Sequence, residues 1–187
     1  MQPAAVELLA ALASTADRWG RWYLFGAQAV IAHGVPRLSA DVDITLELRP
    51  EQPSRFAEEM GAAGFDLIVN DAEFVERTRV MPFVHRATAM PLDVVLACSG
   101  LEDEFIRRSK RVKIGGALVP LIDLSDLIVA KILAGRPKDI EDARALWRAR
   151  GGDVDPVRIR EILRLLEQAL GQGDLMPAFE SIITSNA

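Results

Sequence analysis

Cysteine and histidine are scarce in this 187-residue chain, which has one cysteine and two histidines. A lone cysteine, Cys98, excludes a disulfide within the chain and a cysteine metal cluster, and this usage is typical of a reducing compartment. We expect Cys98 to fill apolar space. His33 and His85 have no third ligand at a spacing typical of a zinc site.

Long apolar runs and a positively charged surface are also lacking. No segment approaches the roughly 20 apolar residues of a membrane span, and no signal-peptide pattern opens the chain, so we expect a soluble, cytoplasmic protein without a membrane partner. A net charge of −5 argues against a surface coated for nucleic acid. One basic segment stands out, and its cations are Arg107, Arg108, Lys110, Arg111 and Lys113.

A phosphate-binding P-loop is lacking as well, since G-x-x-x-x-G-K-[ST] occurs nowhere. What is present is an alternation of helix-like and strand-like segments. The length suits one domain, or a small core with a helical annex. We predict a core over residues 1–121 and a C-terminal helical part over residues 122–187 that packs on it.

Apolar periodicity and helix-stop signals predict the secondary structure. Pro82 cannot donate to a strand ladder, so the segment around it should be a sheet edge or a bulge. Helices are predicted over 3–18, 27–33, 52–62, 101–109, 125–134, 137–150, 156–170 and 175–183. Strands are predicted over 22–25, 41–48, 65–69, 79–85, 92–96, 110–114 and 117–121.

An Asp-x-Asp pair is the sharpest chemical feature. Asp41 and Asp43 alternate with apolar residues, so both carboxylates should leave one face of a strand about 7 Å apart. Such a pair can ligate a hard cation. Asp93 interrupts another apolar strand, where an unpaired buried carboxylate would be costly. The bland alternative is a strand end with solvated carboxylates, and sugar-nucleotide glycosyltransferases also use such a pair, although 187 residues leave them little room.

The stretch from turn to carboxylates resembles the core motif of the nucleotidyltransferase superfamily, which has the polymerase-beta-like fold. It is most similar to the nucleotidyltransferase toxins of bacterial toxin–antitoxin pairs. The motif places are filled by Gly26, Gly34, Arg37, Asp41 and Asp43, whereas Ala27 departs from the more usual Gly or Ser. Two later segments, 125–131 and 136–142, resemble the same group.

The resemblance implies an α/β (α+β) fold in which helices flank a mixed, largely antiparallel sheet. It implies Mg²⁺ or Mn²⁺ as cofactor, with Asp41, Asp43 and Asp93 as metal ligands. Gly26, Ala27, Arg37 and Lys131 would hold the nucleoside triphosphate, although Arg37 could instead pair with a nearby Asp. Asp139 would orient Lys131 or accept a proton. The implied catalytic set is therefore Asp41, Asp43, Asp93, Lys131 and Asp139. For Lys131, the bland alternative is a helix lysine that snorkels to solvent.

The implied activity is metal-dependent transfer of a nucleoside monophosphate from an NTP to an acceptor hydroxyl, with release of pyrophosphate. The acceptor would be an RNA 3′ end, such as that of tRNA, or a protein side chain. The protein would be the toxin of a pair with a cognate antitoxin as partner. The alternative is a non-catalytic nucleotide- or partner-binding module with the same fold, because Ala27 lacks the usual hydroxyl contact.

Overall fold

The computed structural model describes residues 1–98 and 100–184, and the chain divides into two compact units. The first unit comprises Met1–Ala29 and Arg37–Ile122. The second comprises Val30–Pro36 together with the chain from Asp123 onward. The boundary predicted near residue 121 did not assign Val30–Pro36 to the helical part.

The first unit is built on a sheet. Its strands are β1 (Trp22–Phe25), β2 (Val42–Leu46), β3 (Phe65–Leu67), β4 (Val80–His85), β5 (Met90–Leu96), β6 (Lys110–Ile114) and β7 (Ala117–Leu121). Within the described residues they form one seven-stranded sheet in the order β3-β4-β5-β2-β1-β7-β6. The pairs β1–β7 and β2–β5 are parallel and the other four pairs are antiparallel. The expected mixed, largely antiparallel sheet is confirmed.

Helices of the first unit pack on both faces of this sheet. The helices of the first unit are α1 (Pro3–Trp19), the start of α2 (Gly26–Ala32), α3 (Pro53–Ala62), α4 (Ala72–Thr78) and α5 (Gly100–Arg108). Phe56 of α3 packs edge-on against Phe83 of β4, on the face that holds the fully buried Ile44. Phe105 of α5 packs against Tyr23 on the opposite face. Each large side chain buried in this way contributes about 1.5–3 kcal/mol.

Alternation along β2 assigns Asp43 to the face that α5 covers. Val42 and Ile44 are fully buried on the face where Phe56 of α3 packs, whereas Asp43, between them, is half-buried on the other side. The strand begins at Val42, so Asp41 lies just outside it and is exposed. The predicted strand over 41–48 was therefore too long at both ends.

Strand β4 corrects another prediction, because it lies inside the sheet between β3 and β5 rather than at an edge. The carbonyl of Pro82 accepts a bond from the N–H of Ile68 at 2.8 Å, on the β3 side. The nitrogen of a strand residue points to the same side as its carbonyl, and β3 ends at Leu67. An N–H at Pro82 would therefore point to the chain beyond the end of β3. Its absence removes no bond to β5.

Two further local predictions were incomplete or wrong. The turn at Asn70–Asp71 is followed by helix α4, which was not predicted. Asp71 caps this helix by accepting bonds from the N–H groups of Glu73 and Phe74 at 2.9 and 3.3 Å. Cys98 is exposed rather than buried in apolar space.

The second unit is helical, as predicted. Its helices are α6 (Leu124–Ala134), α7 (Pro137–Arg150), α8 (Pro156–Leu170) and α9 (Leu175–Thr184), and a short 3-10 turn spans Gly151–Asp153. Asp155 caps α8, and Trp147 packs edge-on against Phe179 in the core of this unit. None of the described helices is long and apolar enough to span a membrane.

Candidate active site

The centre of the sheet brings two carboxylates side by side. Asp43 on β2 and Asp93 on β5 are register partners in a parallel pair, so their side chains leave the same face. Both are half-buried. Phe25, the last residue of β1, is the register partner of Asp43 on its other side, so the turn after β1 begins next to this carboxylate.

Gly26 makes this approach possible. Its φ is +65°, in the left-handed region that favours glycine. A Cβ at this position would lie 2.0 Å from Oδ2 of Asp43 and 2.7 Å from its Cγ. Any side chain at Gly26 would therefore displace the Asp43 carboxylate, and the space that glycine leaves is filled by that carboxylate.

Asp41 is held by side chains instead of by the sheet. The main-chain carbonyl of Asp41 accepts a bond from Nε2 of Gln28 at 3.1 Å and lies 3.0 Å from Oγ of Ser39. The same Ser39 hydroxyl lies 2.8 Å from Oδ1 of the Asp41 carboxylate. The carboxylate thus has a fixed neighbour although its residue precedes β2.

Electrostatics links Asp41 to Asp93. Burial raises the pKa of the Asp93 carboxyl above its usual range, and the negative charge of Asp41 raises it further. Two like charges are therefore close enough to interact at this end of β2 and β5. This arrangement disfavours the metal-free state with all carboxylates ionised.

The donor set fits a divalent cation in its chemistry. Mg²⁺ and Mn²⁺ prefer carboxylate oxygens, and a cation here would relieve the repulsion between Asp41 and Asp93. In residues 1–98 and 100–184, no three Asp, Glu, His or Cys side chains converge in a way that could hold a metal ion. At least one of the carboxylates of Asp41, Asp43 and Asp93 would therefore need to shift before all three could bind one ion.

The remaining predicted phosphate ligands of the first unit lie near this point in the chain. Ala27 is buried at the start of α2, directly after Gly26. Arg37 is half-buried in the segment that leads to Asp41. Since α2 has seven residues, its dipole adds little to anion binding.

Lys131 and Asp139 meet in the second unit, with a third residue that was not predicted as a ligand. Nζ of Lys131 lies 2.9 Å from Oδ1 of Asp139 and 2.8 Å from Oδ2 of Asp142. The Lys131 side chain is 7% exposed, so it does not snorkel to solvent. Arg136 also donates to Asp139.

This ion cluster keeps Asp139 charged. Burial alone would raise the pKa of the Asp139 carboxyl, but hydrogen bonds from Arg136 and Lys131 outweigh burial, so the pKa lies below its usual range. A carboxylate with a lowered pKa is a weak proton acceptor. The geometry therefore agrees better with Asp139 as the residue that orients Lys131 than with Asp139 as a base.

The basic segment forms the end of α5 and the outer strand β6. Arg107, Lys110 and Lys113 are exposed. Arg111 instead donates to both carboxylate oxygens of Asp17 on α1, at 2.8 and 2.9 Å. Part of the predicted cluster thus has a structural partner within the first unit.

Comparison of the sequence with known families identifies one match. The profile of a family described as "Nucleotidyltransferase of unknown function (DUF6036)" matches residues 4–160. The chain belongs to this family. The match covers all seven strands, the three carboxylates Asp41, Asp43 and Asp93, and the ion cluster of Lys131. No curated protein matches the sequence.

Solved structures of other proteins share this fold. The solution structure of the antibiotic-resistance factor ANT(2'')-Ia has a TM-score of 0.63 and 18% identity, covering 91% of this chain and 97% of that one. A crystal structure of ANT(2'')-Ia in complex with adenylyl-2''-tobramycin has a TM-score of 0.57 and 17% identity, covering 88% and 97%. An antigenic nucleotidyltransferase-like protein from Paracoccidioides brasiliensis has a TM-score of 0.55 and 13% identity, covering 94% and 91%.

Three polar residues of these clusters were not among the predicted site residues. Gln28 and Ser39 hold Asp41, and Asp142 completes the ion cluster of Lys131. A serine two residues before an Asp is a signal for a local side-chain bond. A polar Gln between alanines in a short apolar helix was the second available signal.

Proposed function

We propose that this protein transfers a nucleoside monophosphate from an NTP to an acceptor hydroxyl and depends on Mg²⁺ or Mn²⁺. The observation that carries the proposal is the pairing of Asp43 with Asp93 directly beside the Gly26 turn. Membership of a nucleotidyltransferase family supports the type of reaction. We also propose a cytoplasmic location, on the basis of composition alone.

Asp41, Asp43 and Asp93 would hold the cation. When bound, the cation would neutralise part of the triphosphate charge and stabilise the charge that develops during transfer. The acceptor oxygen forms a bond to the α-phosphorus, the bond from that phosphorus to the bridging oxygen breaks, and pyrophosphate leaves with the electron pair. The acceptor proton goes to a carboxylate, and Asp93, which leaves the same face of the sheet as Asp43, is assigned to take it.

The triphosphate ligands enter the proposal through the sequence resemblance. Gly26 and Ala27 would offer main-chain N–H groups, and Arg37 would offer a cation. Lys131, oriented by Asp139, is assigned to the triphosphate on the same ground. Lys131→Met tests the last of these assignments.

The acceptor class is the open part of the proposal. The resemblance to toxins of toxin–antitoxin pairs favours an RNA 3′ end, tRNA included, or a protein hydroxyl, with a cognate antitoxin as partner. ANT(2'')-Ia, which shares the fold, has been seen with adenylyl-2''-tobramycin. That complex supports testing a small-molecule hydroxyl as well.

The test is incubation of the purified protein with each α-³²P-labelled NTP and Mg²⁺, in the presence of tRNA, a protein extract or tobramycin. We expect label on one acceptor class, released pyrophosphate and no product with EDTA. Asp43→Asn should abolish the product. Glu47→Gln is the matched control, because Glu47 directly follows the strand of Asp43 and its carboxylate pairs with Arg21 at 2.8 Å. Nucleotide binding without any transfer would favour the non-catalytic alternative.

A further inference from the structure

Gln28 is a polar residue sealed inside the first unit. It lies on α2, two residues after Gly26, and its exposure is 0%. Its Nε2 donates to the main-chain carbonyl of Asp41 at 3.1 Å. A carbonyl can only accept, so the nitrogen of the amide must be the atom that faces Asp41.

The other end of this amide is left unsatisfied. Oε1 of Gln28 is buried and has no hydrogen-bond partner among the residues that the structure describes. A buried acceptor without a partner costs about 1–3 kcal/mol. Methionine or leucine would fill a similar volume without that cost, so packing does not account for glutamine here. The benefit of the amide must lie in its bond to Asp41.

The bond from Gln28 to the Asp41 carbonyl affects the hydrogen bonding of Ser39. Its hydroxyl lies 3.0 Å from the Asp41 carbonyl and 2.8 Å from Oδ1 of the Asp41 carboxylate. A serine hydroxyl has one proton and can donate to only one of these atoms at a time. Because Gln28 already donates to the carbonyl, the ionised carboxylate is the stronger acceptor left for the Ser39 proton, and it is also the nearer one.

Asp41 needs such support more than Asp43 does. Asp43 lies in β2 and is fixed by ladders on both sides, through Phe25 and Asp93. Asp41 precedes the strand and is exposed. Without Gln28 and Ser39, its carboxylate would lose rotational restraint that the sheet does not replace.

We propose that Gln28 is a positioning residue: its amide fixes the Asp41 carbonyl and thereby directs the Ser39 proton to the Asp41 carboxylate, which is oriented for a divalent cation. This inference rests on the proposed function, because it assigns a purpose to the geometry of a metal ligand. It predicts a specific dependence between two residues that do not themselves bind the cation.

The experiment measures Mn²⁺ affinity by electron paramagnetic resonance of free Mn²⁺, without nucleotide, for the whole protein and its variants. The variants are Gln28→Met, Ser39→Ala and the double variant. Each should weaken Mn²⁺ binding about tenfold, as expected for groups that orient a metal ligand. The double variant should bind about as weakly as Ser39→Ala alone, since Gln28 acts through Ser39. Thr15→Val, a buried polar change on α1, is the control for stability.

Transfer kinetics supply a second readout. Gln28→Met should raise the Mg²⁺ concentration needed for half-maximal transfer about tenfold, whereas Thr15→Val should leave it unchanged even if both lower the melting temperature equally. If Gln28→Met does not fold, Ser39→Ala still decides, because the inference requires weaker Mn²⁺ binding in that variant.

The outcomes distinguish failure of the proposed function from failure of this inference alone. A wild-type protein that binds no Mn²⁺ would overturn the proposed function and this inference with it. A wild-type protein that binds Mn²⁺, with equal affinity in Gln28→Met or Ser39→Ala, would overturn the inference alone. Additive losses in the double variant would also overturn it, because they show that the two residues act independently.

Discussion

Asp43 and Asp93 are register partners on neighbouring parallel strands, although they come from distant parts of the chain. Two carboxylates placed side by side on one sheet face repel each other unless a cation or a proton intervenes. Nothing in the fold of the sheet requires that pair. The pair also stands beside Gly26, a glycine that yields its side-chain space to Asp43.

Asp41→Asn should abolish transfer without loss of stability in metal-free buffer. The variant removes a proposed ligand and also the charge that disfavours ionised Asp93. We expect a melting temperature equal to or above that of the wild type in EDTA, and a smaller rise on adding Mn²⁺. Near-normal transfer rates in the variant would show that Asp41 is not a metal ligand.

Gly26→Ala should impair transfer more than it impairs folding. Left-handed backbone costs a non-glycine residue about 1–2 kcal/mol, and the new Cβ would push the Asp43 carboxylate aside. Gly64→Ala is the matched control, because Gly64 also has a positive φ, +96°, but has no atom within 4 Å of the added Cβ. We expect denaturant melts to show destabilisation in both and transfer assays to show loss in Gly26→Ala alone. Equal activity in the two variants would contradict this.

Lys131→Met separates a structural role from a catalytic one. Asp139 and Asp142 would both lose their bond to Lys131, although Asp139 keeps its bond from Arg136, so we expect destabilisation of about 3–5 kcal/mol. Transfer per folded molecule should fall by about tenfold to a thousandfold if Lys131 also stabilises charge on the triphosphate.

Arg158→Met provides the comparison for Lys131→Met, since Nε of Arg158 lies 2.8 Å from the fully buried Asp126, in another ion pair of the second unit. The measurement is transfer at a temperature at which both variants remain folded. A purely structural Lys131 would give the two variants the same activity per folded molecule.

The ion pair between Asp17 and Arg111 should make stability depend on pH below about 5. A hydrogen bond from Arg111 holds the pKa of the Asp17 carboxyl below its usual range, and a bond from Nε1 of Trp22 acts in the same direction against burial. A lowered folded pKa means that this stabilisation is present above the unfolded pKa, near 4, and is lost as pH falls through the folded pKa. Since both side chains are partly exposed, we expect about 0.2–1 kcal/mol.

Urea melts of the wild type and Asp17→Asn between about pH 3 and pH 7 measure this effect. The difference in the free energy of unfolding between the two proteins should shrink as pH falls. A difference that stays constant over the whole range would show that ionisation of Asp17 does not stabilise the fold.

If RNA is the acceptor, the exposed cations at α5 and β6 should contribute to binding it. Arg107→Glu with Lys113→Glu reverses two charges while leaving the pair between Arg111 and Asp17 intact. We expect weaker RNA binding, a shallower dependence on salt and unchanged NTP binding in filter-binding assays. Salt-insensitive transfer, or full activity of the double variant on RNA, would favour a protein or small-molecule acceptor.

Patterns local in sequence predicted most of the fold. The strand at Trp22–Phe25, the hairpin strands around Gly115 and Gly116, and helix α8 after Asp155 were predicted with the observed bounds. Each depends on neighbours in sequence, such as a two-residue turn or a cap. Membership of β4 in the sheet interior could not be predicted, because it depends on where β3 ends and not on Pro82 itself.

Local sequence patterns likewise predicted some residues of the candidate site and not others. Asp41, Asp43 and Gly26 stand in a recognisable order along the chain, and Asp93 was found because a charge in an apolar strand is unusual. The bond from Lys131 to Asp142 and the bond from Gln28 to the Asp41 carbonyl were not predicted. The first bond depends on how α6 packs against α7, and the second on how the chain folds back from α2 to Asp41. Residue order alone defines neither.

The parallel pairing of β2 with β5 also affects how the newly made protein acquires its site. Asp41 and Asp43 leave the ribosome well before β5, and β7 joins β1 later still. Contacts between distant segments form only after the entropy cost of closing the intervening loop has been met. During synthesis the chain therefore passes through a stage in which its first two carboxylates exist without the third, and a fragment that stops before Met90 could never assemble them.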